Sequence, residues 1–187
     1  MVPLFSDYLC RQRLGIVAPY IRGDVLDLGC GITDILTLLH PGQRYVGVDR
    51  PIMIRWLREN RPGYEYHECD LDRDDLALTS QFDSVLMLAV IEHLKHPDKL
   101  LSQLSWCLKP NGQLLITTPS PFGNIIHRLG ARVGLFYMEA AREHETIFTR
   151  EHLQARLEHH RWKITCYRRF LMGGNQLFVC QHNGAEQ

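Results

Sequence analysis

Apolar positions along this chain follow two rhythms. Short, nearly continuous apolar runs occur at Val25–Leu28, Tyr45–Val48 and Phe82–Leu88, and between them apolar residues return every third or fourth position. The first rhythm predicts strands buried on both faces; the second predicts amphipathic helices. A first helix is expected over Ser6–Ile21, with Ser6 or Asp7 as N-cap and Leu9, Leu14, Ile16 and Val17 on its inner face. Arg22-Gly23-Asp24 turns into the first strand. A short helix, Asp34–Leu39, is stopped by Pro41-Gly42, and the strand Tyr45–Val48 closes at Asp49. Pro51 opens a helix over Ile52–Asn60, Tyr64–Glu68 alternates as a strand, and Asp72–Ser80 is expected as a short helix. After the run Phe82–Leu88, a helix begins at Ile91–His93, restarts at Pro97 and ends near Leu108. Pro110-Asn111-Gly112 then turns the chain into the strand Gln113–Thr117. Strands that alternate with helices call for a parallel sheet with right-handed crossovers.

Beyond Pro119 the rhythm changes. Residues 122–142 carry helical spacing interrupted by Gly130 and Gly134, and Thr149 caps a helix reaching Glu158. Two strands, Trp162–Leu171 and Gln176–Gln181, flank Gly173-Gly174-Asn175, the sequence of a tight hairpin. The expected class is α/β, a parallel series closed by an antiparallel hairpin.

Composition narrows the field. The 187 residues suit one domain, with 45% hydrophobic and 22% charged residues. Basic and acidic residues balance at 21 each, so no net field draws the chain to nucleic acid or membrane. The six cysteines lack CxxC spacing and read as reduced thiols of a cytoplasmic protein, and neither a signal peptide nor a membrane-length apolar run is visible.

The chemistry centres on VLDLGCGITD, residues 25–34. A strand running into Gly29-Cys30-Gly31 brings backbone close to a ligand at the carboxyl end of the sheet. A dinucleotide loop reads G-x-G-x-x-G, and Asp34 occupies the third glycine position, where a carboxylate repels a pyrophosphate. Asp27 beside the loop repeats that message and favours a cationic ligand. Asp49, at the end of strand two, suits the two hydroxyls of a ribose, or simply caps the next helix. Asp70 suits an exocyclic amine, or belongs to the solvated acidic run that continues through Asp72, Asp74 and Asp75. Cys30 reads as a small buried filler. Ribose, amine-bearing base, ammonium and sulfonium together describe S-adenosylmethionine.

Five segments carry a family resemblance: Val25–Gly31, Tyr45–Arg50, His67–Asp72, Phe82–Leu94 and Leu108–Pro121. In that order and spacing the chain resembles the class I S-adenosylmethionine-dependent methyltransferases, in their small-molecule branch. The resemblance implies a Rossmann-like, doubly wound, seven-stranded sheet, mostly parallel with a C-terminal antiparallel hairpin, in one domain spanning 1–187. It implies that Asp27, Gly29, Cys30 and Gly31 hold the methionine end, that Asp49 binds the ribose, and that Arg50 flanks the adenine. Asp70 and Leu71 would meet the adenine ring, Leu88 and Ala89 would offer backbone to the ammonium, and Arg13 would face the carboxylate. The family's usual third loop glycine is Thr33 here.

Methyl transfer needs alignment, plus a base where the acceptor is a hydroxyl. His144, next to Glu145, and His93 are the candidate catalytic residues, with His127 a third histidine of the same region. Residues 120–149 are expected as a helical lid over the acceptor site. No cluster shows metal-ligand spacing, so no metal is expected. A small-molecule acceptor, methylated on oxygen, nitrogen or carbon, is the reading; nucleic acid is not expected, and the oligomeric state is open. Two alternatives stand beside it: a non-catalytic module that binds S-adenosylmethionine or S-adenosylhomocysteine and acts through a partner, and an NAD-dependent enzyme.

Overall fold

The computed structural model describes residues 4–32, 34–123 and 146–184. Seven strands form one sheet: β1 (Val25–Leu28), β2 (Tyr45–Asp49), β3 (Glu65–Glu68), β4 (Phe82–Leu88), β5 (Leu108–Pro119), β6 (Trp162–Phe170) and β7 (Asn175–His182). Their order is β3-β2-β1-β4-β5-β7-β6; the first five are parallel, and β7 runs antiparallel between β5 and β6. Strand order reverses between β1 and β4, so the crevice expected at a switch point opens beside the end of β1.

Helices cover both faces because the central strands are apolar on both. Leu14 and Val17 of α1 (Leu4–Val17) and Ile54 and Leu57 of α2 (Pro51–Asn60) pack with Val25, Leu86 and Leu115. Leu100 and Leu101 of α3 (Pro97–Gln103) and Leu153 and Leu157 of α4 (Arg150–His159) pack with Leu26, Val85, Met87 and Ile116 on the other face. Burial of these side chains, about 1.5–3 kcal/mol each against exposure, is what holds the layers together. Trp162 is fully buried and its indole N–H donates to the Leu101 carbonyl at 3.1 Å, joining β6 to α3.

Several sequence expectations are corrected. The first helix is α-helical only to Val17 and tightens into a 3-10 turn over Ala18–Tyr20, where Pro19 stands. The stretch Asp34–Leu38 is a 3-10 helix. Asp72–Ser80 is not helical: its acids bond to other segments, with Asp72 Oδ1 accepting from the Lys95 and His96 amides at 2.8 and 3.0 Å. The expected helix from Ile91 to Leu108 is three pieces, a 3-10 turn (Ile91–His93), α3 and a 3-10 turn (Leu104–Cys107). Pro110-Asn111-Gly112 is a bulge inside the longer β5, where pairing jumps from Phe82↔Leu108 to Ser84↔Gln113 and Asn111 takes φ +63°. The expected lid over 120–149 lies largely outside the described residues, as do His127, His144 and Thr33. Thr149 caps α4 as expected, its hydroxyl accepting from the His152 amide at 3.1 Å.

Candidate functional site

Because β1, β2, β3, β4 and β5 are parallel, their carboxyl ends share one edge. Asp27, Gly29, Cys30, Gly31, Asp49, Arg50, Asp70, Leu71, Leu88 and Ala89 all lie on or just beyond these strand ends. The acids Asp24 and Asp83 sit at the opposite edge, where both pair with Lys109 Nζ at 2.8 Å.

The loop after β1 is set by backbone bonds. Gly29 and Cys30 amides both donate to the Val48 carbonyl, at 2.8 and 3.1 Å, which bends the chain over the end of β2. Gly29 (φ +67°) and Gly31 (φ +47°) take left-handed backbone that other residues reach only with strain. Their surroundings differ. A Cβ at Gly29 would come within 2.6 Å of Val90 Cγ2, whereas among the described residues one at Gly31 would meet nothing closer than 3.9 Å. Gly29 therefore lets the loop pack against the chain after β4, and Gly31 presents bare backbone to open space.

Asp49 fastens this loop. Its Oδ2 accepts from the Gly31 amide at 2.9 Å and its Oδ1 from the Arg50 amide at 2.7 Å. Asp49 is not itself the N-cap of α2, a place that Arg50 holds, but stands one residue before it with its Oδ1 on the Arg50 amide. Asp27 lies below the loop, 2% exposed, and its Oδ2 accepts from the Tyr45 hydroxyl at 3.0 Å. Asp27 stands opposite Gly47, whose missing side chain leaves the Tyr45 ring room to reach across. Burial pushes the Asp27 carboxyl up to about 7 against the opposing Tyr45 hydrogen bond, with Asp49 adding to the rise. Cys30 is buried, and its thiol is pushed far up by burial and by the carboxylates of Asp27 and Asp49. Both features suit the reading of Cys30 as a small buried filler better than that of a nucleophile.

At the end of β3, Asp70 is engaged locally: its Oδ1 accepts from the Asp72 amide at 3.1 Å, and its own amide donates to Asp74 Oδ2 at 2.8 Å. Leu71 packs at the rim of the core. At the end of β4, Ala89 adopts φ +58° and its amide is shared between the Thr117 carbonyl (2.9 Å) and hydroxyl (3.1 Å), which turns the chain sharply out of the sheet. His93 follows in the 3-10 turn, half-buried.

Sequence reasoning passed over Glu92 and Thr118. Glu92 is fully buried, yet neither carboxylate oxygen has a hydrogen-bond partner, and Thr118 Oγ1, also fully buried, has none either. Arg13 Nε is a further buried polar atom without a partner. Burial raises the Glu92 carboxyl and lowers the Arg13 guanidinium, each countered by the charge of the other across the gap. The available signal was an acid set inside the apolar stretch Phe82–Leu94.

These residues fit a cationic adenosyl ligand: bare glycine backbone at the switch point and acids ending three neighbouring strands. The profile of a family described as a methyltransferase domain matches residues 8–167. The chain belongs to the class I S-adenosylmethionine-dependent methyltransferases.

Within that family, the chain is 30% identical over 120 residues to a tRNA U34 carboxymethyltransferase of Methylococcus capsulatus, covering 60% of this chain and 37% of the relative. It is 28% identical over 102 residues to a ubiquinone biosynthesis O-methyltransferase of Nitrosococcus oceani, covering 50% of this chain and 42% of the relative. The chain thus spans about two fifths of the length of these curated relatives. Among solved structures, magnesium protoporphyrin IX methyltransferase from Synechocystis superposes with a TM-score of 0.71 at 16% identity, covering 98% of this chain and 89% of that one. A methyltransferase from Archaeoglobus fulgidus gives 0.71 at 18% identity, covering 92% and 93%. At these identities the likeness is one of fold, and it confirms the mostly parallel seven-stranded sheet with its antiparallel end. Among the described residues no helix is long and apolar enough to cross a membrane, and no group of metal-ligating side chains is assembled.

Proposed function

We propose that this methyltransferase moves the methyl group of S-adenosylmethionine to a small-molecule acceptor. The observation that carries the reading is Asp49, whose carboxylate spans the end of β2 and the Gly31 amide and so holds acid and bare backbone together at the switch point. In this reading Asp49 takes the ribose hydroxyls and Arg50 flanks the base. Asp70 and Leu71 border the adenine. Asp27 with Gly29, Cys30 and Gly31 lines the methionine end, Leu88 and Ala89 turn backbone toward its ammonium, and Arg13 offers a guanidinium to its carboxylate. When bound, the group supplies an electrophilic methyl; the chain supplies alignment and exclusion of water. His93 and His144 stand as candidate catalytic residues.

The zero net charge supports a small acceptor, and the O-methyltransferase relatives agree with it. A tRNA-modifying relative makes transfer RNA the control acceptor. Calorimetry with S-adenosylmethionine, S-adenosylhomocysteine and NAD tests the cofactor: both adenosyl ligands should bind and NAD should not. Binding of NAD alone overturns the reading. Asp49→Ala should weaken S-adenosylhomocysteine at least tenfold, the loss of one hydrogen bond to a charged acceptor at about 1.5–3 kcal/mol. Unchanged affinity refutes the ribose role. Tight cofactor binding without methyl transfer to any acceptor would favour the non-catalytic module.

A further inference from the structure

Among the described residues, the buried side-chain polar atoms lacking a hydrogen bond are Arg13 Nε, both Glu92 oxygens, Thr118 Oγ1 and Arg156 Nε. Arg156 already pairs with Asp98 through its Nη1. The others gather at one corner of the sheet. Glu92 follows the end of β4 and Thr118 is next to last in β5, so both stand at the edge that carries the glycine loop. Gly29 packs on Val90, two residues before Glu92, and the Thr146 amide donates to the Glu92 carbonyl at 3.2 Å. Thr118 stands near enough to favour the ionised Glu92 carboxylate, yet outside hydrogen-bond geometry.

Other buried polar side chains at this corner are satisfied. Gln176, paired across from Thr118, donates to the Phe148 carbonyl at 2.9 Å and accepts from the Tyr167 hydroxyl at 3.0 Å. Ser120 donates to the Gly173 carbonyl at 2.7 Å, and its oxygen accepts from the Gly123 amide at 3.0 Å. Leaving a buried carboxylate and hydroxyl unmade costs stability, so their place beside the bonded Gln176 and Ser120 points to groups kept for a ligand.

We propose that Glu92 and Thr118 form the polar end of the acceptor site, and that they select a hydroxyl acceptor whose proton passes to Glu92. This rests on the methyltransferase reading above. A hydroxyl fits both groups at once: its O–H donates to the carboxylate, and its oxygen accepts from the Thr118 hydroxyl while keeping a second lone pair for attack. A neutral amine has one lone pair, which the Thr118 bond would occupy, and it needs no base before attack. In the step, the acceptor O–H bond breaks as the O–CH3 bond forms, and the proton goes to a Glu92 oxygen. The electron pair of the broken C–S bond stays on sulfur, leaving a neutral thioether. Glu92 returns its proton to water after product leaves. The closed position of the carboxylate serves this role, since water does not compete for it.

The test uses the full chain, with catechol as hydroxyl probe and benzylamine as amine probe, on wild type, Glu92→Gln, Glu92→Ala and Thr118→Val. Wild type should methylate catechol on oxygen and leave benzylamine unchanged. Glu92→Gln should keep a cooperative unfolding transition and should bind S-adenosylhomocysteine within threefold of wild type. Its single-turnover rate with catechol should fall at least 100-fold. Thr118→Val should weaken catechol binding to the S-adenosylhomocysteine complex about tenfold, read by calorimetry without turnover. Added formate should restore part of the rate in Glu92→Ala. The proposal is overturned if Glu92→Gln keeps its rate, or if it loses cofactor affinity and melting temperature together as a purely structural residue would. It is equally overturned by a cofactor-bound wild type that methylates benzylamine and not catechol, or neither probe; the cofactor reading then stands. Absence of S-adenosylmethionine binding by wild type refutes both.

Discussion

Alanine placed at Gly29 and at Gly31 in turn separates the two jobs of the loop. Both positions have positive φ, so either alanine meets the left-handed penalty of about 1–2 kcal/mol. At Gly31 no clash is added among the described residues, where the nearest neighbour of the new methyl is the Gly29 carbonyl at 3.9 Å. At Gly29 the methyl also drives into Val90, with Cγ2 at 2.6 Å and Cγ1 at 3.3 Å, adding an overpacking cost of about 1–3 kcal/mol. Gly29→Ala should therefore lose about 2–5 kcal/mol and Gly31→Ala about 1–2 kcal/mol in urea unfolding. At about 2–4 °C per kcal/mol for a domain of this size, the two melting temperatures separate clearly. In a Val90→Ala background the two alanines should cost the same, since the clash is gone; that double-mutant cycle isolates the contact. Ligand binding should order them the other way. Gly31→Ala fills the open space where a ligand would approach, and S-adenosylhomocysteine should weaken at least tenfold, about 1.4 kcal/mol. Equal destabilisation in the wild-type background, or a Gly31→Ala protein that binds S-adenosylhomocysteine as wild type does, refutes the division.

Asp27 predicts a pH signature. Its carboxyl titrates near 7 in the fold and near 3.8 in the unfolded chain, so the native state holds the proton longer. The stability this confers is complete below pH 4 and is lost as pH rises toward 7, by at most about 4 kcal/mol. Measured in urea from pH 4.5 to 7.5, wild type should lose stability relative to Asp27→Asn; parallel curves contradict the assignment. For Cys30, whose thiol is raised and sealed by burial, labelling with a disulfide reagent at pH 8 should proceed only at the rate of unfolding, read by mass spectrometry of its peptide. Half-buried Cys10 and Cys166 should react first, and prompt modification of Cys30 in the native protein would disprove the filler role.

The chain itself determined the fold class and which residues stand at the carboxyl ends of the strands. Val25–Leu28 and Phe82–Leu88 are apolar enough to need burial on both faces, and both were legible to the residue. Parallel strands separated by helices put their carboxyl ends on one edge, so Asp27, Gly29, Gly31 and Asp49 group there from the sequence pattern alone. Local rules failed where a distant partner outweighed propensity. Asp72–Ser80 reads as a helix, but Asp72 is claimed by the amides of Lys95 and His96. Pro110-Asn111-Gly112 reads as a strand boundary, but hydrogen bonding to β4 on either side carries β5 through it as a bulge.

What only the tertiary structure decided is which polar groups lack a partner. Glu92 precedes His93 in sequence, and by residue type alone a histidine is the commoner general base. The fold buries Glu92 entirely, brings Thr118 near it from a strand that begins sixteen residues downstream, and leaves the side-chain oxygens of both outside hydrogen-bond geometry. Whether a charge is satisfied depends on the atoms that surround it in space, and those come from segments far apart along the chain.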